Sequence, residues 1–195
     1  MRKSGILLPV SSVPSKYGIG TFSRQAYEFI DSLEKAGQSY WQILPLGPTG
    51  YGDSPYQSFS TFAGSPYYIS LDALIEEGLL TEEECLSVDF GNDTGKVAYE
   101  KIYNTRFQLL RRAFERADLR ADSEYKAFVG ENEQWLKDYA MYMAIKDSLK
   151  GVSWIEWGED IRLRKPKAMA RYEKEFADDI AFYCYQQYLF SKQWR

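Results

Sequence analysis

Between Gly50 and Ser60 the chain reads Gly-Tyr-Gly-Asp-Ser-Pro-Tyr-Gln-Ser-Phe-Ser, and this stretch comes three residues after the mostly apolar run Trp41 to Leu46. Two glycines, a proline, a carboxylate, two tyrosines and several hydroxyls share one turn. The chemistry they offer is recognition of a ligand with both flat apolar and hydroxylated surfaces. A tyrosine presents an aromatic face and a phenolic hydroxyl, which suits a sugar ring. Asp53, Ser54 and Gln57 can exchange hydrogen bonds with ring hydroxyls. Glycine, aspartate, serine and proline are also ordinary turn residues, so an unremarkable strand-to-helix connection has the same composition. The tyrosine pair and the position after a strand favour a site, because strand C-termini feed the ligand-binding face in parallel α/β proteins.

The rest of the composition removes other chemistries. The 195 residues include no histidine, which excludes Ser/His/Asp and Cys/His catalysis and HExxH metal sites within them. Carboxylates, tyrosines and lysines remain, and no metal site is expected. Gly50-Tyr51-Gly52 lacks the continuation that cradles phosphate. The net charge is −4 and no run of Lys or Arg exceeds two residues, so neither nucleic acid nor an anionic membrane is an expected partner. Cys85 and Cys184 are the only cysteines and read as reduced thiols. The apolar start Ile6-Leu7-Leu8 is cut off by Pro9, too short for a signal-peptide core or a membrane span, and a cytoplasmic protein is expected. Sixteen tyrosines and five tryptophans hint at stacking surfaces as well as a core.

The segments around the loop carry patterns of their own. Ser4 to Leu8 is a short buried strand, and Val10 to Gly20 an irregular loop. A helix follows, capped by Ser23, with Ala26, Phe29, Ile30 and Leu33 on one apolar face and Gly37 as a left-handed stop. Tyr40 to Leu46 is the second strand, ended by Pro45. Strand, helix, strand is a βαβ unit with parallel neighbours. Tyr67 to Leu71 reads as extended and Asp72 to Glu77 as a helix closed by Gly78. Thr81 to Glu84 forms a capping box, which accounts for its three glutamates without catalysis. Helices are expected over Val97 to Ala117, Ser123 to Phe128 and Gln134 to Leu149. A last one, from Pro166 to Arg195, places Tyr172, Phe176, Ile180, Tyr183, Phe190 and Trp194 on one stripe.

Several runs carry a family likeness: Ser4 to Leu8, Lys16-Tyr17-Gly18-Ile19-Gly20, the long stretch Gly37 to Ser58, Lys137 to Ala140, Trp154 to Arg164, and Gln187 to Trp194. On these the chain resembles, over essentially its whole length, the N-terminal part of the 4-α-glucanotransferases, the amylomaltase or disproportionating-enzyme family. The resemblance implies transfer of α-1,4-glucan segments between maltooligosaccharides, with retention, through a covalent glycosyl-enzyme. That takes two carboxyl groups roughly 5 Å apart, which in the family lie on later barrel strands, so no catalytic residue is assigned before Arg195. No cofactor is implied. Ser54 and Tyr56 match the loop lining the subsite beside the cleavage point, where the tyrosine stacks on glucose. Asp53 and Gln57 support that loop or reach sugar hydroxyls; Asp53 alternatively closes a turn over Pro55. Tyr51 and Tyr99 match an accessory glucan-binding groove. Trp41 reads as core, and Trp154, Trp157, Glu159, Asp160, Arg162 and Arg164 as a packed, salt-bridged turn.

The expected fold is therefore α/β: the N-terminal part of a (β/α)8 TIM barrel with a mainly helical insertion after the second strand, truncated before the third. Residues 1–60 form the first βαβ unit with the substrate loop, 61–165 the inserted subdomain and 166–195 a barrel helix. The expected partners are an α-glucan or maltooligosaccharide and the remainder of the same barrel. The alternative is a non-catalytic glucan-binding or interaction module.

Overall fold

Gly5–Leu7 (β1) and Tyr40–Gln42 (β2) run parallel, with Gly5 opposite Tyr40, Ile6 opposite Trp41 and Leu7 opposite Gln42. The register explains Gly5, since a side chain there would run into the Tyr40 backbone. In the computed structural model, which describes residues 2–50, 52–93 and 95–195, these are the two strands among the described residues. Helix α1, Arg24–Lys35, makes the crossover. It stops where Gly37 turns left-handed at φ 70°. There the Gly37 and Gln38 amides donate to the Glu34 and Leu33 carbonyls, both at 2.9 Å, the double closure expected of a glycine C-terminus.

Both strands are shorter than the sequence suggests. Neither is buried: Ile6 is 42% exposed, Leu7 56% and Tyr40 58%. A β-strand needs layers on its faces to bury. Here the Trp41 side chain meets Phe29 of α1, with ring centroids 5.0 Å apart, and donates from Nε1 to the Leu8 carbonyl at 2.8 Å. Trp41 is thus half-buried against α1 and not part of the buried core. Ala26 and Leu33 of the α1 face are buried, while Ile30 is not. Ser23 stands at the cap position, but its hydroxyl makes no cap bond and is buried without a partner.

The described chain divides into two units, Met1–Ala117 with Leu189–Arg195, and Asp118–Tyr188. In the first, the core lies under the loops and helices. Buried Val10, Val13, Tyr17 and Ile19 belong to the loop after β1, and Ile69, Leu74, Ile102, Leu109 and Leu110 to later elements. Gly18 and Gly20 admit this packing: a side chain at Gly20 would fall on the Val10 and Val13 carbonyl oxygens. The expected extended piece near Tyr67 is instead a 3-10 turn, Pro66–Tyr68, leading into α2, Leu71–Glu76. Helix α3, Glu82–Leu86, carries the complete capping box between Thr81 and Glu84. Glu84 also accepts both Arg116 terminal nitrogens, at 2.8 and 2.6 Å, from α4, Tyr99–Arg116.

The second unit holds α5, Ser123–Glu131, α6, Glu133–Ser148, a one-turn α7, Glu159–Arg162, and α8, Pro166–Glu175. Met141, Ile145, Trp157, Ile161 and Ala168 form its core, with Phe176 and Ile180 packed against them. The Trp154 to Arg164 stretch is the salt-bridged turn expected, with Glu159 on Lys165, Asp160 on Arg171 and Arg164 on Asp138, at 2.8, 3.0 and 2.8 Å. The single C-terminal helix expected is two: α8 ends at Phe176, and α9 runs over Ala177–Trp194. The apolar pattern of α9 is no stripe, because Phe182 through Leu189 are buried at every position. Tyr188 donates to Asp122, the N-cap of α5, at 3.0 Å. In the first unit the last turn of α9 is tied down. Phe190 and Trp194 each lie 5.2 Å from Phe22, and Gln193 Oε1 accepts the Ser70 amide at 2.6 Å.

Glu84 generates a pH prediction. Its bonds to Arg116 and to the Thr81 amide hold its pKa at about 2, below the ordinary 4.5. A depressed folded-state pKa means stabilisation that is complete above the unfolded value and is lost as pH falls through the folded one. Urea melts of the wild type and Glu84→Gln should differ at neutral pH, and the gap should close on acidification toward about 2. A gap independent of pH would contradict the assignment.

Candidate functional site

Parallel pairing of β1 and β2 puts the loops that follow them on the same edge of the sheet, and the polar and aromatic residues gather there. After β1, Val10–Ser12 forms a 3-10 turn that offers the Ser11 hydroxyl. After β2, the chain runs through Pro45 and Gly47 into the tyrosine loop. Its base closes by an antiparallel bridge between Thr49 and Ser58, and a side chain at Gly47 would collide with Ser58. The loop returns to the body where the Ser65 amide donates to the Leu46 carbonyl at 2.8 Å.

Asp53 is the brace of this loop. It adopts a left-handed backbone, φ 51°, beside Gly52 at φ 92°, a conformation aspartate tolerates better than most residues. Its amide donates to the Gly50 carbonyl at 3.2 Å, and its Oδ1 accepts from Thr49 Oγ1 at 3.2 Å. The carboxylate thus reaches back to Thr49 and not over Pro55, which has no amide proton to give. Partial burial lifts the Asp53 pKa, and the Thr49 bond opposes that rise.

Tyr99 lies within electrostatic reach of Asp53 and bonds Ser11. Burial raises the Tyr99 phenol, the Asp53 charge adds to the rise, and a hydrogen bond with Ser11 counters it. Tyr67 is held further up by the same causes in the same order, burial first and then Asp53. The Tyr67 and Tyr99 rings pack with centroids 6.0 Å apart, and Phe107 lies 6.3 Å from Tyr67. The two packed phenols, the Ser11 hydroxyl that bonds one of them and the Asp53 charge that both feel therefore lie in one neighbourhood, reached from the ends of β1 and β2. At neutral pH both phenols are protonated and can donate, while Asp53 accepts.

Ser54, Tyr56 and Gln57 occupy the outer arm of the loop. The Ser54 carbonyl accepts the Gln57 amide at 3.0 Å, which makes the turn that projects Tyr56. Tyr56 is 74% exposed, so its ring face is free for a ligand. Tyr51 lies outside the described residues. Tyr67 and Ser11 escaped the sequence reading. A usable signal existed in the four-residue spacing of Tyr99, Tyr103 and Phe107, which sets an aromatic row on one face of α4.

Elsewhere, a cavity of about 300 Å³ in the second unit is lined by Trp154, Tyr142, Met141 and Ile145 among others. Its charged groups answer one another, Arg164 to Asp138 and Arg162 to the Ile155 carbonyl, which leaves an apolar hollow without an aimed polar group. Among the described residues no cluster of three or more His, Cys, Asp or Glu side chains could hold a metal ion. No described helix is long and apolar enough to cross a membrane.

Comparison with known proteins gives this neighbourhood its context. Residues 8–195 match the sequence profile of the family described as 4-alpha-glucanotransferase. The chain is 46% identical over 186 residues to a 4-alpha-glucanotransferase of Clostridium butyricum, covering 95% of this chain and 38% of that protein. It is 46% identical over 198 residues to one of Streptococcus pneumoniae, covering 99% and 39%. In structure it superposes on the amylomaltase from Streptococcus agalactiae, solved in complex with acarbose, with a TM-score of 0.93 at 37% identity, covering all of this chain and 40% of that one. The chain thus spans about two fifths of the length of the relatives it matches, and by its sequence and its fold it belongs to the 4-alpha-glucanotransferase family.

Proposed function

We propose that this chain supplies the sugar-binding wall of a 4-α-glucanotransferase. The intact enzyme moves a segment of α-1,4-glucan from a donor to the free 4-hydroxyl of an acceptor maltooligosaccharide, with retention, through a covalent glycosyl-enzyme. The carrying observation is the electrostatic and hydrogen-bond linkage of Ser11, Asp53, Tyr67 and Tyr99, together with an exposed Tyr56 on the same loop as Asp53, in a chain of this family. Tyr56 stacks on the glucosyl ring next to the cleaved bond, and Ser54 and Gln57 meet its hydroxyls. Tyr99, with Tyr51, lines an accessory groove for a longer glucan, and Asp53 holds the two arms in place. The acarbose bound to the Streptococcus agalactiae relative supports a carbohydrate ligand for this surface.

The nucleophile and the acid/base, two carboxyls roughly 5 Å apart, are assigned to later parts of the enzyme. Glu82 and Glu84 are engaged by cations, Lys16 and Arg116, which supports that assignment for these two. We further propose that β1 and β2 open a (β/α)8 barrel, with residues 61–165 as its helical insertion and α9, within 166–195, as a barrel helix. Exposed Ile6, Leu7 and Tyr40 favour this reading, since later strands would cover them. The enzyme is assigned to the cytoplasm and needs no cofactor for this chemistry. A second reading, a stand-alone glucan-binding module, draws support from the C-terminal turn of α9, which Gln193 ties to Ser70.

Expressed from its complete reading frame, the protein should convert maltotriose to glucose and longer maltodextrins. Glucose without longer products would mean hydrolysis, and no turnover would favour the binding module. Tyr56→Ala should lower that transfer by a factor on the order of a hundred with an unchanged melting temperature; wild-type turnover would remove the stacking role. Asp53→Asn should separate stability from binding. The raised pKa of Asp53 means that folding disfavours its ionised form, so the wild type carries a penalty above the folded pKa that vanishes on protonation. The Asn variant should melt at or slightly above the wild type at neutral pH, with the difference shrinking on acidification, and should bind maltoheptaose more weakly.

A further inference from the structure

Arg106 sits on α4 two turns after Tyr99, and none of its surface reaches solvent. Its Nη2 donates to the Ile69 carbonyl oxygen. Nε and Nη1 are buried without a hydrogen-bond partner. No carboxylate pairs with it among the described residues. Burial lowers its pKa to about 10, with Cys85 and Tyr67 opposing that shift, so it remains a cation at neutral pH.

A lone buried cation is a poor way to hold a core together. An apolar side chain of similar volume would fill the space without taking a charge out of water, and the desolvation of a buried ion is costly. The use of Arg106 is therefore to be sought in the one bond it makes. That bond ends on Ile69, which closes the Pro66–Tyr68 turn by donating its amide to the Pro66 carbonyl at 3.3 Å. The neighbouring Tyr68 carbonyl accepts the Phe22 amide at 2.9 Å. Tyr67 is thus carried on a turn fixed on one side by Phe22 and on the other by Arg106. Its ring is met from α4 by Tyr99 and Phe107, the latter being the residue next to Arg106. One helix grips the turn twice, by its backbone through the guanidinium and by its ring through the aromatic row.

We infer that Arg106 is a positioning residue for glucan binding: by pinning the Ile69 carbonyl it sets the place of Tyr67 against Tyr99 and Asp53, and so the shape of the wall that meets the sugar. It touches no substrate and acts through Tyr67. The inference rests on the glucan-binding reading of that wall.

The test uses the whole protein as wild type, Arg106→Met, Arg106→Lys and Tyr99→Ala, each titrated with maltoheptaose by calorimetry and each melted. Arg106→Met should melt at or above the wild-type temperature and yet bind about tenfold more weakly, as expected when a supporting residue lets a contact loosen. Arg106→Lys, which keeps the charge and one donor, should recover part of the affinity. A Met variant with wild-type affinity overturns the inference. So does a Met variant that fails to fold or loses melting temperature and affinity together, since Arg106 would then serve the fold alone; a Lys variant that folds yet binds no better than Met overturns it too. Tyr99→Ala separates the two readings. If it loses binding while Arg106→Met does not, the wall stands and the positioning role falls. If the wild type itself does not bind, both fall.

Discussion

The parallel pairing of β1 with β2 is the constraint on which the site depends. In an antiparallel pair the chain segments after the two strands would leave from opposite ends. In a parallel pair they leave from the same end, and the helix between the strands takes up the return. Because Gly5 lies opposite Tyr40, the turn at Val10–Ser12 and the loop from Gly47 to Ser60 emerge together. Ser11 can then hydrogen-bond Tyr99 while the Asp53 charge bears on the same phenol. A residue from after the first strand, one from after the second and one from a helix some forty residues later share one neighbourhood.

That neighbourhood is built from groups held slightly out of their preferred state. Asp53 is left-handed and partly desolvated, and its charge makes both neighbouring phenols harder to ionise. A carboxylate that only accepts, beside phenols that stay protonated and can donate, is a complementary set for ring hydroxyls, each of which both donates and accepts. The aromatic faces of Tyr67, Tyr99 and Tyr56 add the apolar component.

Local signals carried much of this into the sequence. Gly37 and Gly78 stop helices as their left-handed backbones require, and Thr81 with Glu84 forms its box through bonds three residues apart. The turn at Asp53 was legible because its neighbours are turn formers. Features decided at long range were not. Strand ends depend on what lies alongside, so Tyr40 to Leu46 shrank to Tyr40–Gln42. The break at Phe176 has neither Gly nor Pro to announce it, since the chain bends there to pack Phe176 and Ile180 on the Met141 and Trp157 core. Tyr67 was hidden because its partners, Tyr99 and Arg106, lie more than thirty residues away and meet it through tertiary packing alone.

On the proposed reading, glucan meets this chain at the C-terminal edge of its two strands. The most direct measurement is a nitrogen-15 NMR map of the protein during titration with maltoheptaose. The account predicts saturable shifts at Gly47 to Ser60, Ser11, Tyr67 and Tyr99, with the second unit's Trp154 and Trp157 unmoved. Saturable shifts centred on those tryptophans, or none at the tyrosine loop at concentrations where the sugar binds, would contradict it.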